Sequence, residues 1–143
     1  MLKKLLAPVP TAPALDWALL ILRLAIGILM ITHGWGKFSK VLAGSAEFGD
    51  PIGLGPSTSL ALAAFAEFIC SILIILGLAT RLVVIPPMIV MLVAFFIVHA
   101  EDPFGRKEKT LLFLFPYISL LIAGPGKFSL DHILFSGKER HLE

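Results

Sequence analysis

The sequence lacks most of what a soluble enzyme of this size carries. Only 15% of its 143 residues are charged, whereas a soluble domain usually has about 25%. Its single cysteine, Cys70, can form no internal disulfide, and no CxxC or Cys/His pattern supports a dithiol redox centre or a zinc site. Glycine-rich nucleotide loops, a nucleophile elbow and metal-binding helix motifs are also missing. The sequence therefore contains none of the standard catalytic or metal-binding motifs.

What the sequence has instead is apolar length. Hydrophobic residues make up 57% of the chain, and the mean hydropathy is +0.93. They are gathered in long runs, which indicates an integral membrane protein. Twelve basic and ten acidic residues give a net charge of +2, a balance too even to indicate a nucleic-acid partner.

Four apolar segments have about the 17–25 residues that a spanning helix needs. They cover residues 14–36, 57–79, 82–100 and 107–124, and a glycine-containing loop covers 39–55. Pro86-Pro87 predicts a kink at the start of the third segment, and Pro116 lies in the middle of the fourth. Only Thr80-Arg81 joins the second and third segments, which requires an antiparallel hairpin. The sequence predicts one all-α domain, an up-down integral membrane four-helix bundle.

The loop and the basic residues give two further expectations. The loop is long for a compact bundle, so it is either a lid or docking surface, or simply a connector. Four spans place both termini on one face with six basic residues, against five on the other. The first set is Lys3, Lys4, Arg81, Lys127, Lys138 and Arg140, and the second is Lys37, Lys40, Arg106, Lys107 and Lys109. The positive-inside rule thus favours cytoplasmic termini by one residue.

Two charged residues lie deep inside apolar segments, away from the segment ends. Arg23 lies in the first segment, where a guanidinium costs at least ~2.5 kcal/mol on insertion scales, so we expect it to face a partner rather than lipid. Glu67 lies in the second, and antiparallel packing places the two within roughly 5 Å in depth. This predicts a buried Arg23–Glu67 ion pair. The pair either fixes the register of the helices or belongs to a polar core that binds a headgroup or relays protons.

Two histidines end parallel segments and so lie near the same membrane face. His33 ends the first and His99 ends the third, with Trp35, Lys37 and Glu101 close to them in sequence. These five residues are either ordinary interface anchors or the lining of a site for a quinone headgroup, which needs polar groups beside apolar walls. A haem held by His33 and His99 is a third interpretation.

Four motifs, in order, resemble the DoxX family of small four-helix membrane proteins. They are LRLAIGILMITHGWGKF in the first span, AEF around Glu67, GLATR at the hairpin and GPGKFSLD after the fourth span. The resemblance covers about Trp17 to Leu134. It implies a membrane subunit linked to an oxidoreductase, such as a thiosulfate:quinone oxidoreductase, in the bacterial cytoplasmic (inner) membrane. It supplies no set of catalytic residues.

The leading expectation is a DoxX-like membrane subunit that supports a redox complex near the quinone pool. Its partners would be the bilayer and other protein subunits. We expect no intrinsic cofactor, and a quinone as the redox ligand. One alternative is a scaffolding subunit without chemistry of its own. Another is a pathway for small solutes or protons through the Arg23–Glu67 core. A homo-oligomer is compatible with each.

Overall fold

The computed structural model describes residues 12–135, and all regular structure in that part of the chain is helical. The helices are α1 (Pro13–Leu42), α2 (Pro56–Leu76), α3 (Thr80–Val98), α4 (Phe104–Ala123) and the short α5 (Leu130–Phe135). The first three are long and apolar enough to cross a membrane. The predicted all-α membrane bundle is confirmed.

Helices α1 and α2 pack closely because α1 presents glycines to α2. A Cβ atom on Gly34 would lie 2.6 Å from the carbonyl carbon of Glu67, and one on Gly27 would lie 2.5 Å from Cγ1 of Ile75. Small residues allow helix backbones to approach in this way. Because later positions on α1 meet earlier positions on α2, the two helices are antiparallel.

A tight turn joins α2 to α3. Gly77 ends α2 in the left-handed conformation, with φ of 68°, and the N–H of Leu78 donates to the Leu73 carbonyl at 3.0 Å. This is a glycine C-cap that satisfies the last carbonyls of the helix. Helix α3 then begins at Thr80, so the predicted hairpin is short and antiparallel.

The predicted irregularity at Pro86-Pro87 occurs as a break in α3. The helix is interrupted at Val84 and resumes with Ile85–Val93, so both prolines stand in the first turn of the resumed segment. That position tolerates proline, since the N–H groups there have no helical partner. Beyond the break, α3 packs along α4, and α4 contacts α1 to close the bundle.

Two sequence-based boundaries need correction. Helix α1 continues to Leu42, so the loop comprises residues 43–55 instead of 39–55. Gly34 and Gly36 do not end the helix, because Gly34 is covered by α2 and Lys37, beyond both, is held by Glu67. The loop begins only after that contact.

The fourth predicted span is represented by α4, but α4 is not among the helices long and apolar enough to span. Its first two turns carry Arg106, Lys107, Glu108 and Lys109, and its apolar part begins only at Thr110. Helix α4 therefore fills the fourth position of the bundle with a charged end.

The bundle has two distinct ends. The base contains the start of α1, the α2–α3 turn, the end of α4 and helix α5. The mouth contains the end of α1, the loop of residues 43–55, the start of α2 and the α3–α4 connection. Between them lies an apolar core of nine buried residues, namely Leu19, Ile26, Met30, Ile74, Val84, Met91, Leu114, Tyr117 and Leu120.

Candidate functional site at the mouth

Glu67 forms its ion pair with Lys37, so the predicted Arg23–Glu67 pair is wrong. The Lys37 Nζ lies 2.5 Å from Glu67 Oε2. The physical reason is helix register: Gly34, not Arg23, stands opposite Glu67. Arg23 is displaced from Gly34 by about 16 Å along the axis, at 1.5 Å per residue. Lys37, one turn past Gly34, reaches back to Glu67 instead.

Arg23 binds backbone carbonyls at the base. Its Nη1 donates to the carbonyls of Ile74 (3.5 Å) and Ile75 (3.3 Å), and its Nη2 donates to the carbonyl of Phe128. The side chain is fully buried. Arg23 thus joins α1, the end of α2 and the segment after α4.

Two buried carboxylates complete the base. Asp131 attracts the Arg23 guanidinium and accepts the N–H groups of Ala79 (2.6 Å) and Thr80 (2.9 Å), which caps the start of α3. Asp16 accepts the N–H of Lys127 at 2.8 Å. The base is a set of connections between chain segments.

The mouth contains both π-helical turns found within residues 12–135. The first, Phe65–Ile69, interrupts α2 and carries Glu67. The second, Ala94–Val98, ends α3, and the N–H of the next residue, His99, donates to the Ala94 carbonyl at 2.9 Å. A π turn redirects the side chains around it and frequently marks a functional site. Here each one presents an ionisable side chain to the same region.

That region contains two adjoining cavities of about 500 Å³ each. Both border Lys37, Glu67, Ala94 and His99. The apolar cavity lies between α2, α3 and the loop, and its walls include Phe48, Ile52, Leu62, Phe65, Ile89 and Val93. The polar cavity lies between α1, α3 and α4, and its walls include His33, Asp102, Arg106, Lys109, Thr110 and Phe113. The Lys37–Glu67 ion pair and the two cavities together form the candidate site.

The structure brings together three of the five site residues expected from sequence. His33, Lys37 and His99 all border the polar cavity. Trp35 borders neither cavity: it is 57% exposed and contacts the rings of Phe38 and Phe68. An exposed aromatic at this level is typical of a membrane-interface anchor. Glu101 is likewise exposed and lines neither cavity.

The carboxylate that does reach the site is that of Asp102, which follows Glu101 and was not among the five residues nominated from the sequence. His99 Nδ1 lies 2.7 Å from Asp102 Oδ2, and Arg106 Nη1 lies 3.5 Å from Asp102 Oδ1. The hydrogen bond from His99 holds the pKa of Asp102 below its usual value, with a further contribution from the Arg106 charge. The spacing of three residues between His99 and Asp102 was the available signal.

His33 has a different environment from His99. Its Nδ1 lies 2.9 Å from the Leu29 carbonyl in the preceding turn, and its ring meets Phe113 edge-on at 5.7 Å. A haem ligated by His33 and His99 stays a prediction. Within residues 12–135, no group of three or more His, Cys, Asp or Glu side chains is placed to hold a metal ion.

The loop closes the apolar cavity from outside the bundle. Phe48, Pro51 and Ile52 contribute to the cavity wall. Between them, Asp50 accepts the N–H groups of Leu54 (2.9 Å) and Gly55 (3.0 Å) and, at 2.9 Å, the Ser59 hydroxyl. These bonds fix the loop to the start of α2.

Comparison with known proteins agrees with this architecture. The DoxX family model matches residues 18–100. The chain belongs to the DoxX family. It is 35% identical to "Putative oxidoreductase CatD" of Bacillus subtilis, over 84% of this chain and 89% of that protein. It is also 30% identical to "Inner membrane protein YqjF" of Escherichia coli, over 83% of this chain and 93% of that protein. No solved structure matches.

The family match covers part of the site. It includes α1, α2 and α3 with His33, Lys37, Glu67 and His99, and it ends before Asp102. The walls contributed by α4 lie beyond the matched segment. The polar cavity therefore combines a segment shared with the family model and a segment outside it.

Proposed function

We propose that this DoxX protein is a membrane subunit that supports a redox complex by binding a quinone at the mouth. The observation that carries the proposal is the position of the Lys37–Glu67 pair, at the junction of an apolar and a polar cavity. Cavities of about 300–1,000 Å³ with mostly apolar walls and a few convergent polar groups are typical of small-molecule sites.

A quinone matches the chemistry of both walls. Its ring and isoprenoid tail require apolar surface, which Leu62, Ile89 and Val93 provide. Its carbonyl oxygens accept hydrogen bonds, which the Lys37 ammonium and the His99 imidazolium can donate. Electrons would come from another subunit of the complex. The name of the relative CatD supports a redox role, and that of YqjF supports an inner-membrane location.

The structure affects the two alternative functions, the solute or proton pathway and the scaffolding subunit, in different ways. The pathway through an Arg23–Glu67 core has lost its basis, because the pair does not form. The scaffolding alternative predicts that substitutions around the cavities are silent, whereas changes in the loop of residues 43–55 disrupt the complex. Quinone binding by the purified protein separates scaffolding from the proposal.

The test is titration of the protein in lipid nanodiscs with a short-chain ubiquinone. Replacing Lys37 with Met should weaken binding at least about tenfold, which corresponds to about 1.4 kcal/mol. Because this change leaves Glu67 without its cation, the double variant Lys37→Met/Glu67→Gln should be measured as well. Lys40→Met is the matched control, since Lys40 is exposed one turn further along α1 and donates only to the Glu47 carbonyl. Equal affinity in wild type and both Lys37 variants, or no binding by wild type, would refute the proposal.

A further inference from the structure

The two histidines of the polar cavity have different hydrogen-bond partners. The Nδ1 of His33 faces a backbone carbonyl, that of Leu29, at 2.9 Å. The Nδ1 of His99 faces the carboxylate of Asp102 at 2.7 Å. Both partners accept, so Nδ1 carries the proton in each ring. Only the carboxylate also stabilises a positive imidazolium.

Asp102 is well placed to act on His99. Its second oxygen lies 3.5 Å from Arg106 Nη1, so the carboxylate is held between two donors. Its pKa is lowered, chiefly by the His99 hydrogen bond, so it remains ionised at neutral pH. The backbone of His99 is fixed by its bond to Ala94 at the end of the π turn. The pair is thus oriented from both sides.

The remaining ring nitrogen of His99 is available to a ligand. Nε2 makes no hydrogen bond within residues 12–135, and His99 borders both cavities. The charged and titratable side chains that border these cavities with it are Lys37 and His33 from α1, Glu67 from α2, and Arg106 and Lys109 from α4. Among the described histidines of the site, His99 alone combines a carboxylate on Nδ1 with access to both cavities.

We propose that His99 is the proton donor of the quinone site and that Asp102 is its positioning residue. This inference rests on the proposed quinone function. Reduction of a quinone to a quinol takes two electrons, from a two-electron donor on a partner subunit, and two protons. One proton leaves Nε2 of the His99 imidazolium, which becomes neutral with its remaining proton on Nδ1, as an O–H bond forms at a quinone carbonyl oxygen. Water at the mouth then returns a proton to His99, which also delivers the second.

The first experiment needs no quinone. NMR of the ¹⁵N-histidine-labelled protein in nanodiscs reports the proton on each ring nitrogen as a function of pH. In Asp102→Asn, the proton of the neutral His99 ring should shift in part from Nδ1 to Nε2, while the His33 signals stay unchanged. The same distribution of the proton between the two His99 ring nitrogens in both proteins would refute the role of Asp102.

The second experiment uses a short-chain ubiquinone in nanodiscs, with an electrode supplying the electrons. His99→Gln should slow quinol formation by about 100-fold, in the range of general acid catalysis. Asp102→Asn should slow quinol formation as well, and Asp102→Glu, which restores a carboxylate, should recover part of the rate. His132→Gln is the matched control and should keep the rate within about twofold, because His132 lies in α5 at the base, away from both cavities.

Quinone affinity measured in the same samples separates the two claims. If wild type does not bind the quinone, the proposed function fails. If it binds the quinone and His99→Gln reduces it as fast as wild type, the proton-donor role fails while the proposed function stands.

Discussion

Arg23 and Lys37 are both cations of α1 that reach α2, and they differ in what receives them. Arg23, at the base, is fully buried and donates to backbone carbonyls. Lys37, at the mouth, is 27% exposed and pairs with the side chain of Glu67 beside two cavities. A carbonyl neither titrates nor moves away, whereas a carboxylate can do both. We therefore interpret Arg23, whose charge is enclosed by backbone carbonyls, as structural. Lys37, whose charge borders two cavities, is part of the candidate site.

The backbone also differs between the base and the mouth of the bundle. At the base, helices end and begin in capped turns: Gly77 caps α2 and Asp131 caps α3. At the mouth, α2 and α3 are distorted by π turns near Glu67 and His99. Caps satisfy backbone groups and stabilise the fold, whereas π turns redirect side chains. The distortions lie where the cavities are.

The largest expected effect is at the base. Arg23→Met removes the donors to the Ile74, Ile75 and Phe128 carbonyls, together with the electrostatic attraction between the guanidinium and Asp131. A hydrogen bond to a charged group contributes about 1.5–3 kcal/mol, so the loss of these bonds together should cost at least about 3 kcal/mol. We expect the free energy of unfolding in detergent, measured by chemical denaturation, to fall by that amount.

The comparison is Lys37→Met, measured in the same way. Lys37 is partly exposed, so its loss should lower stability by less than the loss of Arg23 does. The contrast between base and mouth would be contradicted if Arg23→Met had the same free energy of unfolding as wild type. It would also be contradicted if Lys37→Met lowered that free energy more than Arg23→Met does.

The next effect is at the contact that sets the register. The Cβ atom of Gly34→Ala would lie 2.6–2.8 Å from backbone atoms of Glu67 and Phe68, which cannot rotate away. Overpacking of this kind costs about 1–3 kcal/mol. It should also displace Glu67 from Lys37 and weaken quinone binding. Both quantities can be measured, by denaturation and by nanodisc titration.

Gly36→Ala is the matched control on the same helix. Nothing lies within 4 Å of the added Cβ atom, and alanine is favoured over glycine in a helix by up to about 1 kcal/mol. We expect stability equal to or above that of wild type. If the two alanine variants behave alike, close packing at Gly34 does not hold the mouth together.

Much of the fold follows from the sequence, because apolar length and short connections restrict a membrane chain to few arrangements. The gathering of His33, Lys37 and His99 follows from parallel spans alone. The partners of Arg23 could not be predicted from the sequence. Every residue has a backbone carbonyl, and the sequence does not show which of them accepts a hydrogen bond. The register set by Gly34 overrode the assumption that the spans are centred at equal depth.

Two further details of the site could not be predicted from the sequence. The π turns have no residue signature in this chain, so the direction of Glu67 and His99 was not predictable. The choice of Asp102 over Glu101 depends on how the chain leaves α3 at His99, where one residue decides which carboxylate turns inward. Local backbone geometry, rather than composition, sets both.

The smallest expected effect tests the loop that closes the apolar cavity. Burial raises the pKa of Asp50, but hydrogen bonds from Ser59, Gly55 and Leu54 outweigh it and hold the pKa below the usual value of about 3.9. The carboxylate therefore stabilises the loop fully above that value, and the contribution disappears as pH falls through the lowered pKa. Asp50→Asn should lower the hydrogen-exchange protection of the Leu54 and Gly55 amides several-fold at pH 7.

The pH dependence of hydrogen-exchange protection separates the effect of the Asp50 charge from the effect of apolar contacts in the loop. Protection factors, which are corrected for intrinsic exchange, should differ between wild type and Asp50→Asn at pH 7 and converge once Asp50 is protonated. Glu47→Gln is the matched control, because the Glu47 side chain is an exposed carboxylate of the same loop. If Asp50→Asn protects these amides as well as wild type does at pH 7, the loop is held by Phe48 and Ile52 on the cavity wall. In that case closure of the mouth depends on apolar contact alone, and a bound quinone would add to it.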